Sequence, residues 1–148
     1  MIAAGLGCRQ GCAARDLVAA IDRALACADK RRSDLHALYA PSFKQAEPGL
    51  VEAAAELARP LVLLDLSLLQ HQSAHVLTHS RHVLARFGVP SIAETAALAG
   101  ACTSAAGPAT HPLAPRLLGP RQQSGGATCA LAQLDTRDTH AIATEPST

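Results

Sequence analysis

The chain has 148 residues, a formal net charge of +1, and 49% hydrophobic residues of which very few are aromatic: two Phe, one Tyr and no Trp. Near neutrality gives no long-range field to collect nucleic acid, and the missing aromatics remove base-stacking platforms. No apolar run approaches the roughly 20 residues of a membrane span, and the start lacks the basic and apolar regions of a secretory leader, so a cytoplasmic protein without nucleic-acid or membrane partners is expected.

Along the chain, the first element is a short apolar strand, Ile2–Leu6, running into a turn that holds Gly5, Gly7 and Gly11. A helix follows, with Leu17, Val18, Ile21 and Leu25 on one face at the spacing of a helix packed on a sheet. Strand, glycine turn and helix is the construction that points free backbone N–H groups at an anion. The spacing is GxGxxxG, one residue longer than the dinucleotide fingerprint, and the acidic ribose partner of that fingerprint has no convincing counterpart. Arg9, between the glycines, adds a cation able to grip a carboxylate or phosphate bidentately.

After a charged turn, residues 35–40 form a second strand, and Gly49–Leu57 a helix with Leu50, Val51, Ala54 and Leu57 inward. Leu61–Asp65 is an apolar run of the kind found in strands buried on both faces. Leu68–Phe87 reads as one helix, broken by Gly88-Val89-Pro90, and Ser91–Gly100 as another. Residues 103–116 read as a loop. Leu117-Leu118 is a weak strand, joined through Gln123-Ser124-Gly125-Gly126 to a better one, Ala127–Leu134. Residues 135–148 are polar, aperiodic and expected to be disordered.

This order predicts an α/β fold: a single three-layer α/β/α domain over residues 1–134, its sheet mainly parallel with an antiparallel C-terminal hairpin. Its core must be built from Ala, Leu and Val, which favours close packing of helices on the sheet. In such sheets ligands bind beyond the carboxyl ends of the strands. Gly5–Gly11 and Pro41–Glu47 each follow a parallel strand, so Arg9, Ser42, Lys44 and Glu47 are expected to meet there. Each also has a plain structural reading: Arg9 bonded to its own turn, Lys44 and Glu47 an i,i+3 surface pair.

Five cysteines, an odd number without zinc-type spacing, fit a reducing compartment. Cys27, Cys102 and Cys129 read as small buried residues, whereas Cys8 is the one whose thiolate Arg9 and a helix N-terminus would favour. His71, His75, His79 and His82 form one stripe on a helix. With Gln, Ser, Thr and Arg interleaved, the stripe reads as a solvated face and not as a metal site; no cofactor is expected. Ser91 and Glu94 fit a capping box, and Glu94 also has a site reading, since a helix N-terminus often opens onto a cleft.

These residues carry a resemblance. The segment Gly5-x-Gly7-Cys8-Arg9-x-Gly11 resembles the opening of the CobE/CbiG C-terminal-domain family of cobalamin biosynthesis. Collinear matches follow: Ala40–Leu50 with Lys44 and Glu47 as its KxxE, the helix Pro90–Ala99 around Glu94, and Leu117–Ala132, which contains Arg121, Gly125 and Thr128. Arg121 stands where the family usually has Lys, and Cys12 where a small hydroxyl residue is common.

The resemblance implies a precorrin or corrin-type tetrapyrrole as ligand, handed on among other corrin-biosynthesis enzymes. Gly5, Gly7, Cys8, Arg9, Gly11, Ser42, Lys44, Glu47, Arg121 and Thr128 are then the candidate ligand-binding residues, the cations taking carboxylates and apolar side chains the ring. The competing reading is a hydrolase of the precorrin-lactone-opening kind that releases a two-carbon fragment, alone or with a partner, with Glu47 or Glu94 as general base. A nucleotide-binding domain ranks behind both.

Overall fold

The computed structural model describes residues 2–104 and 114–134; the expected tail at 135–148 and most of the loop expected at 103–116 lie outside them. Six strands form one sheet: β1 (Ile2–Cys8), β2 (Leu35–Pro41), β3 (Leu61–Leu64), β4 (Pro115–Leu117), β5 (Gln122–Ser124) and β6 (Ala127–Leu134). The order is β3-β2-β1-β6-β4, with β5 also paired to β6. β3, β2 and β1 run parallel, whereas β6 is antiparallel to β1, β4 and β5.

Alternation along β1 divides the core into two layers. Ile2, Ala4 and Leu6 face α1 (Ala14–Cys27) and α2 (Pro48–Leu57), while Ala3 joins the cluster beneath α5 (Ile92–Ser104). The α/β/α sandwich is therefore formed as expected. α1 contributes Leu17, Val18, Ile21 and Leu25, and α2 contributes Leu50, Ala53, Ala54 and Leu57. Val51 of α2 is 59% exposed, not inward.

α5 itself buries mainly small residues, Ala93, Ala96, Ala97, Ala99 and Ala101, beside Leu98. At Gly5 a Cβ would lie 2.1 Å from the Ala93 carbonyl oxygen and 2.3 Å from the Ala97 nitrogen. Gly5 thus belongs to the middle of β1, where it admits a helix backbone onto the sheet, and not to a ligand-binding turn. The strand continues through Gly7 to Cys8.

Three expectations are corrected. The apolar run at 61–64 is an edge strand of the sheet, paired among the described residues only to β2, with Leu63 36% exposed. The edge opposite is split: β4 pairs with Ala132–Leu134 and β5 with Ala127–Cys129, leaving residues 118–121 as an irregular break. The hairpin turn is consequently the two-residue Gly125-Gly126 between β5 and β6, with Gly125 at φ 59°.

The long helix expected at Leu68–Phe87 is three short pieces: α3 (Leu66–Gln70), a 3-10 turn at Ser73–His75, and α4 (Arg81–Phe87). Helix propagation needs each N–H to bond the carbonyl four residues back. The N–H groups of Leu77 and Thr78 instead donate to the Glu94 carboxylate, and Ser80 opens a new helix by capping Val83 (3.3 Å).

Replacing Gly5 with Ala should therefore destabilise the fold by about 1–3 kcal/mol or more, as overpacking against backbone does. A Gly5→Ala protein whose urea midpoint matches the parent's would show that α5 can retreat from β1 without cost.

Candidate functional site

A cleft of about 480 Å³ opens at the carboxyl ends of β1 and β2, the edge predicted for a site. Its floor comes from strand ends and a helix start: Gly7 and Cys8 of β1, Thr128 of β6, and Ile92 and Ala93 of α5. Thr128 is brought there by its register opposite Gly7. One wall is the hairpin and the preceding break, with Gly125, Gly126 and Arg121. The other is the turn after β2, with Phe43 and Lys44, together with Val83, Arg86 and Phe87 of α4.

The cleft is cationic. Arg9, Lys44, Arg86 and Arg121 line it, and no Asp or Glu does. Among the described residues, the side chains of Arg9, Lys44 and Arg121 make no hydrogen bond or ion pair; the Arg9 backbone N–H donates to the Gly126 carbonyl (3.0 Å). Arg86 lies over the Phe87 ring, 5.3 Å from its centroid. Phe87 in turn stacks on Phe43, with centroids 4.9 Å apart and planes 6° from parallel. Both phenylalanines of the chain therefore meet at this cleft, in a protein that otherwise has a single Tyr as its aromatic complement.

Of the sequence-predicted ligand residues, Gly7, Cys8, Arg9, Lys44, Arg121 and Thr128 line the cleft, and Gly5, Gly11, Ser42 and Glu47 do not. Gly11 is at the tip of the β1–α1 turn with φ 76°, and its N–H donates to Glu47 Oε1 (2.8 Å). The chain's own carboxylate thus engages the glycine turn where a dinucleotide-binding fold would take a phosphate. Glu47 forms no ion pair with Lys44.

Glu94 is fully buried and lies behind the cleft. Ser91 Oγ accepts the Glu94 N–H (3.4 Å), so half of the expected capping box is present. The Glu94 carboxylate does not return to the Ser91 N–H. It accepts from Leu77 N–H (3.1 Å), Thr78 N–H (2.8 Å), Thr78 hydroxyl (3.0 Å) and Arg121 N–H (3.2 Å). Neither candidate general base therefore faces the space where a ligand would sit.

Burial pushes the Cys8 thiol up to about 11, with Lys44 pulling the other way by its charge. The expected thiolate is overturned, because desolvation at the strand end outweighs the nearby cation. Cys129 is buried and its thiol pushed up by burial, while Cys27 and Cys102 are exposed, contrary to the buried reading. The histidine stripe dissolves with its helix: His71 follows α3, His75 is in the 3-10 turn, His79 in a loop and His82 in α4, all exposed. Among the described residues, no group of three or more His, Cys, Asp or Glu is arranged to hold a metal ion.

The sequence reading missed Phe43, Phe87 and Arg86. Their signal was composition: a chain with two Phe places each beside a cation, Phe43-Lys44 and Arg86-Phe87.

The family model described as cobalamin synthesis G C-terminus matches residues 2–132. Protein CobE from Sinorhizobium sp is 33% identical over 97 residues, which is 66% of this chain and 63% of that protein, so the match spans less than two thirds of that relative. The crystal structure of CobE, a protein from the cobalamin (vitamin B12) biosynthetic pathway, is similar with TM-score 0.81 and 35% identity, covering 91% of each chain. Cobalamin biosynthesis protein chiG from Agrobacterium tumefaciens strain C58 is similar with TM-score 0.65 and 33% identity, covering 90% of this chain and 98% of that one.

The raised Cys8 pKa has a direct consequence, because the thiolate is the reactive species. Alkylation of Cys8 by iodoacetamide at pH 8 should lag behind that of exposed Cys27. Its rate should climb about tenfold per pH unit toward pH 11. Peptide mapping by mass spectrometry reads this, and Cys8 labelling first at pH 8 would contradict the assignment.

Proposed function

Because the chain belongs to the cobalamin synthesis G C-terminus family, and so to cobalamin biosynthesis, we propose that its cleft binds a precorrin- or corrin-type tetrapyrrole and hands it on to another enzyme of corrin assembly. The observation that carries this reading is the lining of the cleft: Arg9, Lys44, Arg86 and Arg121 with no carboxylate among them, beside stacked Phe43 and Phe87. A tetrapyrrole of this class is a flat apolar ring fringed with acetate and propionate groups. The cations suit the fringe, through charge-assisted and bidentate bonds, and the phenylalanine pair suits the ring. The cleft volume falls within the range of small-molecule sites, about 300–1,000 Å³.

Binding is preferred to the lactone-opening hydrolase because Glu47 and Glu94 are both turned to backbone donors, and neither lines the cleft. The unpartnered cations point the same way. Arg9, Lys44 and Arg121, like charges whose side chains have no hydrogen-bond or ion-pair partner among the described residues, repel one another across the cleft, and an anionic ligand would relieve that repulsion.

Titrating the protein with hydrogenobyrinic acid, followed by its visible spectrum, tests the proposal. Replacing Arg9 with Ala should weaken binding by about 1.5–3 kcal/mol, the range for a hydrogen bond to a charged group. Stability should shift by no more than about 0.5 kcal/mol, because the side chain is exposed and unpartnered. Affinity in the parent should fall as salt rises. Unchanged affinity in Arg9→Ala would remove Arg9 from the site, and acetaldehyde released from a lactone-bearing precorrin would establish the hydrolase instead.

A further inference from the structure

Building on the tetrapyrrole-binding reading, we infer that Glu94 is a positioning residue whose buried carboxylate holds together the two walls of the cleft. Its helix does not need that carboxylate, since Ser91 already caps α5. The side chain reaches away from α5 and gathers four donors from two separate segments. Oε1 takes the N–H groups of Leu77 and Thr78, and Oε2 takes the Thr78 hydroxyl and the Arg121 N–H.

Each segment leads into a wall. Leu77-Thr78 runs through Ser80 directly into α4, which carries Arg86 and Phe87. Arg121 sits at the break between β4 and β5, where its N–H has left the strand ladder and is available to the carboxylate. Glu94 is 0% exposed. A carboxylate buried to that degree is costly unless its oxygens are filled by donors, and bonds to an ionised acceptor are the strong kind. One charge therefore fixes both segments, and any shift of one wall relative to the other breaks bonds at its centre. Arg121 and the Arg86-Phe87 pair can then meet a single ligand at a set separation.

Glu94→Gln keeps the side-chain volume but sets an NH2 group against N–H and O–H donors. Amide hydrogen exchange of the ligand-free protein should show protection falling by about tenfold or more at Leu77, Thr78 and Arg121, with β1 and α1 unchanged. Affinity for hydrogenobyrinic acid should fall about tenfold. In an Arg121→Ala background, the same substitution should cost at least about threefold less than it does in the parent, since residues that act through one another are not additive.

Equal losses in the two backgrounds, or undiminished affinity, would overturn the positioning role, and unchanged exchange would overturn the linkage. If Glu94→Gln loses its cooperative thermal transition, Thr78→Val removes only the hydroxyl donor and decides the same cycle, with a loss of about threefold expected. A parent protein that binds no hydrogenobyrinic acid would sink the binding reading alone, and the exchange data would still decide whether Glu94 ties the walls together.

Discussion

The contact on which the rest of this structure depends is the seating of α5 on β1 at Gly5. With no Cβ there, the Ala93 carbonyl and the Ala97 nitrogen come down onto the strand. Helices whose neighbours carry larger side chains stand farther off, and packing is recovered only by filling the gap. This chain has few aromatic side chains to fill one, and where α5 crosses β1 it closes the layer with Ala and Gly. The first turn of α5 is thereby fixed against the end of β1, which places Ile92 and Ala93 on the cleft floor and Glu94 behind it.

From that placement follows a division of labour among the charges near the cleft. Two carboxylates turn away from the cleft to backbone donors: Glu47, at the surface, holds the glycine turn through Gly11, and buried Glu94 gathers the approach to α4 and the break before β5. The cations are left facing the cleft. Had Glu47 paired with Lys44, as the i,i+3 spacing allows, one of the cations lining the cleft would have been neutralised within the protein. An exposed surface pair of that kind contributes little to stability, whereas a carboxylate held by backbone N–H groups orders a loop.

The same economy shows in the interrupted segments. The 71–80 stretch does not complete a helix: Gln72 and His75 bond carbonyls three residues back, the Leu77 and Thr78 N–H groups go to a buried carboxylate, and the Ser80 N–H goes to Pro90. The edge strand breaks at 118–121, and the freed Arg121 N–H goes to the same carboxylate. Both irregular segments thus supply donors to one long-range hydrogen-bond centre.

Much of the architecture was legible in the amino-acid order. The strands β1, β2 and β6, the inward faces of α1 and most of α2, the α/β/α layering, and the family all follow from apolar periodicity, turn residues and four collinear motifs. Those signals are local, each carried by one short continuous stretch of the chain. What the sequence could not determine is where side chains with several available partners would go. Gly5 and Gly11 look alike in a string of glycines, yet one makes room for a helix and the other bends a turn. Glu94 has a cap within reach in sequence and takes donors 16 to 27 residues away instead. The Cys8 thiol has a cation beside it in sequence, and burial decides its proton. Phe43 and Phe87 are 44 positions apart and meet face to face. In each case the competing energies, burial against charge and near partner against far one, are set by which elements pack together, so only the tertiary structure decides them.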